Sequence, residues 1–191
     1  MNVTTTRALG NGYVVAYGGG ALPATSTVNL AVGADVANRA VVPVVDGKIA
    51  LTLKGASAHA VVDVVGWYAQ PGVTTGALFT PVQPTRILDT RSGSPLGPAE
   101  SRSVVVTGGV VPTGALAIVG TLTATGQTAA VTHARIWPAG TPLTPTSDLN
   151  SGHGRTQANA VVVRTGLGGA VMLYNDQGTS HLILDVVGYF S

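Results

Sequence analysis

The sequence predicts an all-β protein, an antiparallel β-sandwich built from a tandem repeat with one partial and one full unit. Two stretches, residues 59–68 and 181–190, share the pattern His-x-x-x-Asp-Val-Val-Gly followed by two aromatic residues. Throughout the chain, short runs rich in Val, Thr and Ile alternate with Gly, Pro and Asn, which is typical of strands joined by turns. No segment combines a 3.6-residue apolar period with capping residues, so the sequence predicts no long helix.

Two dipeptides indicate tight turns in the first part of the chain. Asn11-Gly12 and Asp46-Gly47 each separate two short apolar runs. Both dipeptides tolerate the positive φ angles of type I′ turns, which join neighbouring antiparallel strands. We therefore expect a β-hairpin at each of these positions.

The repeat extends backwards from the shared ending. Three further pairs of segments match in the same order: Ala37-Asn38 with Ala158-Asn159, residues 26–29 with 147–150, and Tyr17 with Trp137. These matches predict a partial β-repeat unit over residues 1–69, a linker over 70–77 and a full β-repeat unit over 78–191. The full unit opens with residues 78–120, which have no sequence counterpart in the partial unit. The partial unit either folds as a smaller sheet, belongs to a longer array, or receives its missing strands from another subunit.

Composition excludes several classes of function. Charged residues make up 9% of the 191 residues, against about 25% in ordinary soluble domains. The net charge is +2 and no Lys/Arg cluster occurs, which speaks against nucleic-acid and anionic-membrane partners. The chain has no cysteine, so disulfides and thiolate metal sites are excluded. Mean hydropathy is +0.38, yet no run approaches the roughly 18 unbroken apolar residues of a membrane-spanning helix, and we expect no transmembrane segment.

Arg86, Asp89 and Arg91 form the first candidate ligand-binding group. Arginine offers a fork of donors to a carboxylate or a sugar, which is the functional interpretation. The structural interpretation is a turn in which Asp89 accepts backbone N–H groups and an arginine pairs with a buried carboxylate. The structural interpretation is favoured, because polar residues at strand ends commonly satisfy backbone groups.

Asn150, Asn159 and Trp137 complete the candidate ligand-binding set. The asparagines stand before predicted strands, where turns and side chain-to-backbone bonds favour this residue type, although carbohydrate sites use it too. Trp137 precedes Pro138-Ala139-Gly140 and is the aromatic residue that we expect to be most exposed. An exposed indole ring would suit stacking against a sugar.

The repeated ending contains two matched polar pairs, His59 with Asp63 and His181 with Asp185. An i, i+4 spacing places both side chains on one face of a strand, which is a possible start of a metal site. The sequence nominates no third or fourth ligand, so we interpret the pairs as structural and expect no metal. An arginine of the full unit, Arg86 or Arg91, is the natural partner of Asp185. Asp63 needs a different donor, for which a neighbouring molecule is one source.

Catalytic signatures are lacking in the sequence. There is no Gly-x-Ser-x-Gly elbow, and Glu100 is the single glutamate, so a glycosidase would depend on aspartates. The glycines at 18–20 are not followed by the lysine of a phosphate-binding loop. We therefore expect a protein without catalytic residues and without a cofactor.

Four spaced motifs carry a resemblance to a known family: residues 79–91, 147–150, 158–159 and 185–190. Together they resemble a repeat of secreted and cell-surface proteins of actinobacteria and related bacteria, often found beside extracellular hydrolase domains. The resemblance covers the full unit and, in part, the first unit. It implies an exported accessory β module, located outside the cell or on its surface. Residues 1–7 contain no apolar segment of a signal peptide, so this location depends on the resemblance.

The leading functional expectation is a non-catalytic extracellular surface or structural module. It would mediate adhesion or self-assembly through β-sheet surfaces, with other copies of the repeat as partners. One alternative is a carbohydrate-binding module for cell-wall or surface glycans. Another alternative is a phage or virion decoration or fibre protein, which has the same kind of composition.

Overall fold

The computed structural model describes residues 1–70, 72 and 76–191 and confirms the predicted all-β fold, with antiparallel sheets consistent with a β-sandwich. Two short 3₁₀ turns, Thr90–Ser92 and Leu167–Gly169, interrupt the strands. No helix in the described ranges is long and apolar enough to cross a membrane. The strands in chain order are β1 (Asn2–Thr6), β2 (Gly12–Tyr17), β3 (Val28–Asn29), β4 (Val36–Arg39), β5 (Ala50–Gly55), β6 (His59–Asp63), β7 (Phe79–Asp89), β8 (Glu100–Val105), β9 (Ala117–Thr125), β10 (Thr132–Pro138), β11 (Leu149–Ser151), β12 (Gln157–Arg164), β13 (Ala170–Asn175) and β14 (His181–Phe190).

The chain divides into two compact units, Met1–Val65 and Gly66–Ser191. The predicted linker over residues 70–77 includes residues 71 and 73–75, which lie outside the described part of the chain. The second unit consists of two four-stranded sheets, ordered β12-β9-β14-β7 and β11-β10-β13-β8. Along β9, buried and half-buried residues alternate strictly, because successive side chains of a strand point to opposite faces. The buried set forms one apolar core, with Leu122, Leu173 and Leu184 fully enclosed.

The first unit has three strands in each of its two sheets, ordered β4-β1-β6 and β3-β2-β5. In chain order these six strands take the places that β9 to β14 take in the sheets of the second unit. Val3 lies opposite Val62 in β6, as Leu122 lies opposite Leu184 in β14. Strands corresponding to β7 and β8 are the ones that the described part of the first unit lacks.

The missing strands leave one side of the first unit open. In the second unit β7 covers the edge of β14 and β8 covers the edge of β13. The corresponding edges of β6 and β5 pair with no strand among the described residues. The core of the first unit is small, consisting of Val3, Val14 and Val28. We call the free edges of β5 and β6, with the apolar side chains beside them, the open side.

Equivalent positions in the two units differ sharply in burial on the open side. Leu51 in β5 is 41% exposed, whereas Leu173, at the same register position in β13, is fully buried. Val61 in β6 is exposed and its equivalent Ile183 is buried. Leu51 stays partly in water because no outer strand closes the sandwich over it, whereas Val61 shares the outer face of β6 with His59 and Asp63.

The two predicted hairpins differ from the structure. Asn11-Gly12 joins β1 to β2, which belong to different sheets, so it is a crossing between sheets and the hairpin prediction is wrong. The carbonyl of Asn11 accepts the N–H of Ala56 at 3.0 Å, which holds the crossing against the end of β5. Asp46 and Gly47 do adopt positive φ angles of 49° and 71°. That turn closes a single bridge between Val45 and Lys48, not a pair of strands.

The open side makes a prediction for a matched pair of variants. Leu173→Ala should lower the free energy of unfolding by about 2–5 kcal/mol, because it leaves a cavity in a closed core. Leu51→Ala, at the equivalent position of the first unit, should cost less than about 1 kcal/mol, because its side chain is already partly in water. Denaturant unfolding of both variants measures the difference. Equal losses would mean that the inner face of the first unit is closed in solution.

Candidate functional site

A forked ion pair joins β7 to β14 in the second unit. Arg86 donates from Nε to Oδ1 of Asp185 at 2.8 Å and from Nη2 to Oδ2 at 3.1 Å. Two parallel hydrogen bonds between a guanidinium and a carboxylate fix direction as well as distance. The hydrogen bond to Asp185 raises the pKa of Arg86. The pair therefore sets the position of the edge strand β7 along β14.

Asp89, at the end of β7, extends the same group of charges. Arg91 donates to it from Nε at 2.9 Å and from Nη2 at 2.7 Å, and Arg86 donates from Nη1 at 3.3 Å. Its Oδ1 also accepts the backbone N–H of Arg91 at 3.0 Å, which caps the 3₁₀ turn at Thr90–Ser92. The hydrogen bond from Arg91, followed by the backbone hydrogen bond, holds the pKa of Asp89 well below its usual range.

Thr90 ties the turn to the beginning of β14. Its hydroxyl accepts the backbone N–H of Leu182 at 2.9 Å. Its carbonyl accepts a hydrogen bond from Nδ1 of His181 at 2.9 Å, so the neutral ring carries its proton on that nitrogen. Thr90 is buried, so these bonds satisfy groups that water does not reach. We call Arg86, Asp89, Thr90, His181 and Asp185 the β7–β14 clasp.

The clasp is suited to holding a strand. Arg86 directs Nε, Nη1 and Nη2 at carboxylates of the chain itself, and both oxygens of Asp89 and Asp185 accept hydrogen bonds from arginine. A shallow surface depression lies beside the pair, lined by Pro84, Arg86, Thr121, Asp185 and Val187. The Arg-x-x-Asp-Thr-Arg sequence at 86–91 thus binds the edge strand to its neighbour through both side chains and backbone.

Trp137 corrects the expectation of an exposed ring. It is 5% exposed, and its Nε1 donates to the carbonyl of Thr141 at 3.1 Å. The prediction was wrong because the turn that follows β10 folds back and supplies an acceptor for the indole. Asn159 is also buried, and its Nδ2 donates to the carbonyl of Asp148 at 2.7 Å. Asn150 is half-buried on β11, so the structure does not bring these three side chains together as a ligand site.

His59 and Asp63 stand in β6 where His181 and Asp185 stand in β14. Asp63 lies opposite Asn2 in β1, and His59 lies opposite Thr6. The second unit has the same pairing between β14 and β9. His59 is exposed and Asp63 half-buried, and neither side chain has a hydrogen-bond or ion-pair partner among the residues that the structure describes. The first unit therefore carries half of a clasp with no donor strand attached.

A second polar cluster, on β10 and β13, was not found from the sequence. Arg135 donates from Nε to Nε2 of His133 at 3.0 Å, and Nδ1 of His133 lies 3.5 Å from Oδ2 of Asp176. Tyr174 donates to Oδ1 of Asp176 at 3.1 Å, and the guanidinium of Arg135 lies over its ring. Burial is the main cause that lowers the pKa of His133, which favours the neutral ring. Alternation at 133 and 135, and at 174 and 176, is the signal that would have placed these side chains on one face.

This second cluster stiffens the outer face of its sheet. Arg135 donates from Nε to His133 and from Nη1 to the carbonyl of Thr144 at 2.8 Å, and both ring nitrogens of His133 face other members of the cluster. In the described ranges, no group of three or more His, Asp or Glu side chains is placed to hold a metal ion.

Comparison with known proteins adds no relative. No protein-family model, no curated protein and no solved structure matches the chain. Functional argument therefore depends on the two units themselves and on the difference between them.

The clasp predicts a dependence of stability on acid. Because the pKa of Asp89 is depressed in the folded state, its contribution is present above the unfolded value of about 3.9 and is lost as the pH falls below it. Asp89→Asn should lower the melting temperature at pH 7 and flatten its decline between pH 5 and pH 2. Asp35→Asn, which changes an exposed aspartate of the first unit, is the matched control. If the melting temperature of Asp89→Asn fell in acid as steeply as that of the unaltered chain, the role assigned to Asp89 would be contradicted.

Proposed function

We propose that the chain is a non-catalytic extracellular surface module that assembles with other chains through the open side of its first unit. The observation that carries this proposal is the absence of any partner strand on the free edges of β5 and β6 within the described part of the chain. An edge strand offers a row of unpaired N–H and C=O groups to another chain. The open side combines such edges with an apolar surface.

The open side is the kind of surface that association would cover. Leu51, Leu53 and Val61 are all at least two-fifths exposed there. Burying apolar surface yields about 25 cal/mol per Å², so covering these side chains with a partner favours association. Pairing the free backbone groups at the same time gives the contact a direction and a register.

The outer edge of the second unit differs from the open side of the first unit in a way that supports the same proposal. The outermost strand β7 of the second unit contains Pro81 and Pro84, which have no N–H to offer a further strand. Proline on an edge strand is a common protection against unwanted sheet extension. Strands β5 and β6 contain no proline. Sheet addition is therefore favoured at the first unit and disfavoured beyond β7.

The surface location and the lack of catalysis have separate support. The resemblance to repeats of secreted and cell-surface proteins favours an exported module. Within the clasp, and separately within the cluster around His133, polar side chains form hydrogen bonds with their own neighbours. This favours a structural role for both groups. Low charge and a high content of Val, Thr and Gly suit a protein whose main interactions are between sheets.

Sedimentation of the chain at several concentrations tests the proposal. The average mass should rise with concentration, and Val61→Lys should shift it towards the monomer, because the lysine adds charge to the exposed edge. Leu167→Lys is the matched control, since Leu167 is 76% exposed and belongs to the second unit. A chain that stays monomeric at every concentration, or a Leu167→Lys effect as large as that of Val61→Lys, would contradict the proposal.

A further inference from the structure

We propose that the open side of the first unit accepts a strand of β7 type from another polypeptide, through a clasp like that of the second unit. The incoming strand would carry the pattern Arg-x-x-Asp-Thr-Arg. His59 and Asp63 would form the acceptor half. This inference rests on the proposed function and names the chemistry of the partner.

The acceptor half has the same chemistry in both units. In the second unit, Asp185 receives the fork of an arginine and His181 donates to a threonine carbonyl. In the first unit, Asp63 and His59 stand at the same register positions against β1. A carboxylate and an imidazole beside an exposed apolar edge offer an acceptor and a donor to a partner strand.

The register of the incoming strand follows from the second unit. β7 runs antiparallel to β14, with Arg86 opposite Asp185 and Asp89 opposite Ile183. Transferred to β6, this register places the incoming arginine opposite Asp63 and the incoming aspartate opposite Val61. The threonine carbonyl then falls near His59, so one register makes all of the clasp contacts at once.

Apolar contacts support the same partner. In the second unit, the chain from β7 onwards inserts fully buried Leu96 and Val111 into the core. At the start of β7, the ring of Phe79 lies so close to Gly188 that a Cβ at that glycine would collide with it.

The numbers of donors and acceptors limit what other copies of the chain can supply as β7-type strands. The sequence contains one Arg-x-x-Asp-Thr-Arg segment, at 86–91, and two acceptor strands, β6 and β14. A copy that gave its β7 to a neighbour would open its own β14. Exchange among copies of residues 1–191 therefore fills at most one of the two acceptor strands in each copy, which favours a donor strand from outside these residues.

A labelled peptide with the sequence of residues 78–92 is the probe. It should bind the full chain saturably, as followed by fluorescence anisotropy. Asp63→Asn should weaken binding about tenfold, because a charge-assisted fork becomes a neutral contact. A peptide with Arg86→Gln should weaken binding to a similar degree. Asp35→Asn, the same change on an exposed residue of the same unit, should leave the affinity unchanged.

Hydrogen exchange identifies which strand receives the peptide. Added peptide should slow exchange of the β6 amides and leave those of β14 unchanged. No saturable binding, binding that Asp63→Asn does not alter, or protection confined to β14 would each overturn the inference. Self-association that Val61→Lys abolishes, with no peptide binding, would overturn this inference while supporting the proposed function. Peptide binding by a chain that is always monomeric would support this inference and contradict the self-association expected under the proposed function.

Discussion

The attachment of β7 to β14 is the interaction on which the closed form of this sandwich depends. A sheet in a sandwich buries its inner face only when its outermost strand is in place, because the side chains of that strand complete the core. Arg86 and Thr90 fix the edge strand by a forked ion pair and by backbone bonds to the start of β14. The chain that continues from β7 then contributes Leu96 and Val111 to the core.

The first unit shows what the same arrangement looks like without that attachment. Its strand order and registers are those of the second unit, but its core is reduced to a few valines and its leucines are partly in water. Folding is a small balance of large terms, so such a unit gains much from any contact that buries its open side. Asp63 and His59 give this gain specificity, since they favour a strand that brings an arginine and a carbonyl.

Sequence reasoning worked where a pattern has a single physical meaning. Period-two alternation and dense turn residues predicted the all-β class, and the need of a half-buried carboxylate for a donor pointed to an arginine as the partner of Asp185. It failed where the path of the chain beyond the motif decides the outcome. The ring of Trp137 is covered by its own turn, and Asn11-Gly12 joins two sheets because β1 finds its partners in β4 and β6. Local turn chemistry cannot distinguish a hairpin from a crossing, since both need a sharp change of direction.

Hydrogen exchange of the isolated chain tests the central claim most directly. In β14, residues 183–186 and 188–190 pair with both β9 and β7, whereas β6 has a neighbour only in β1 among the described residues. The account predicts that the amides of β6 directed away from β1 exchange orders of magnitude faster than their equivalents in β14. Equal protection of the two strands in dilute solution would contradict it, because it would show that the first unit is already closed.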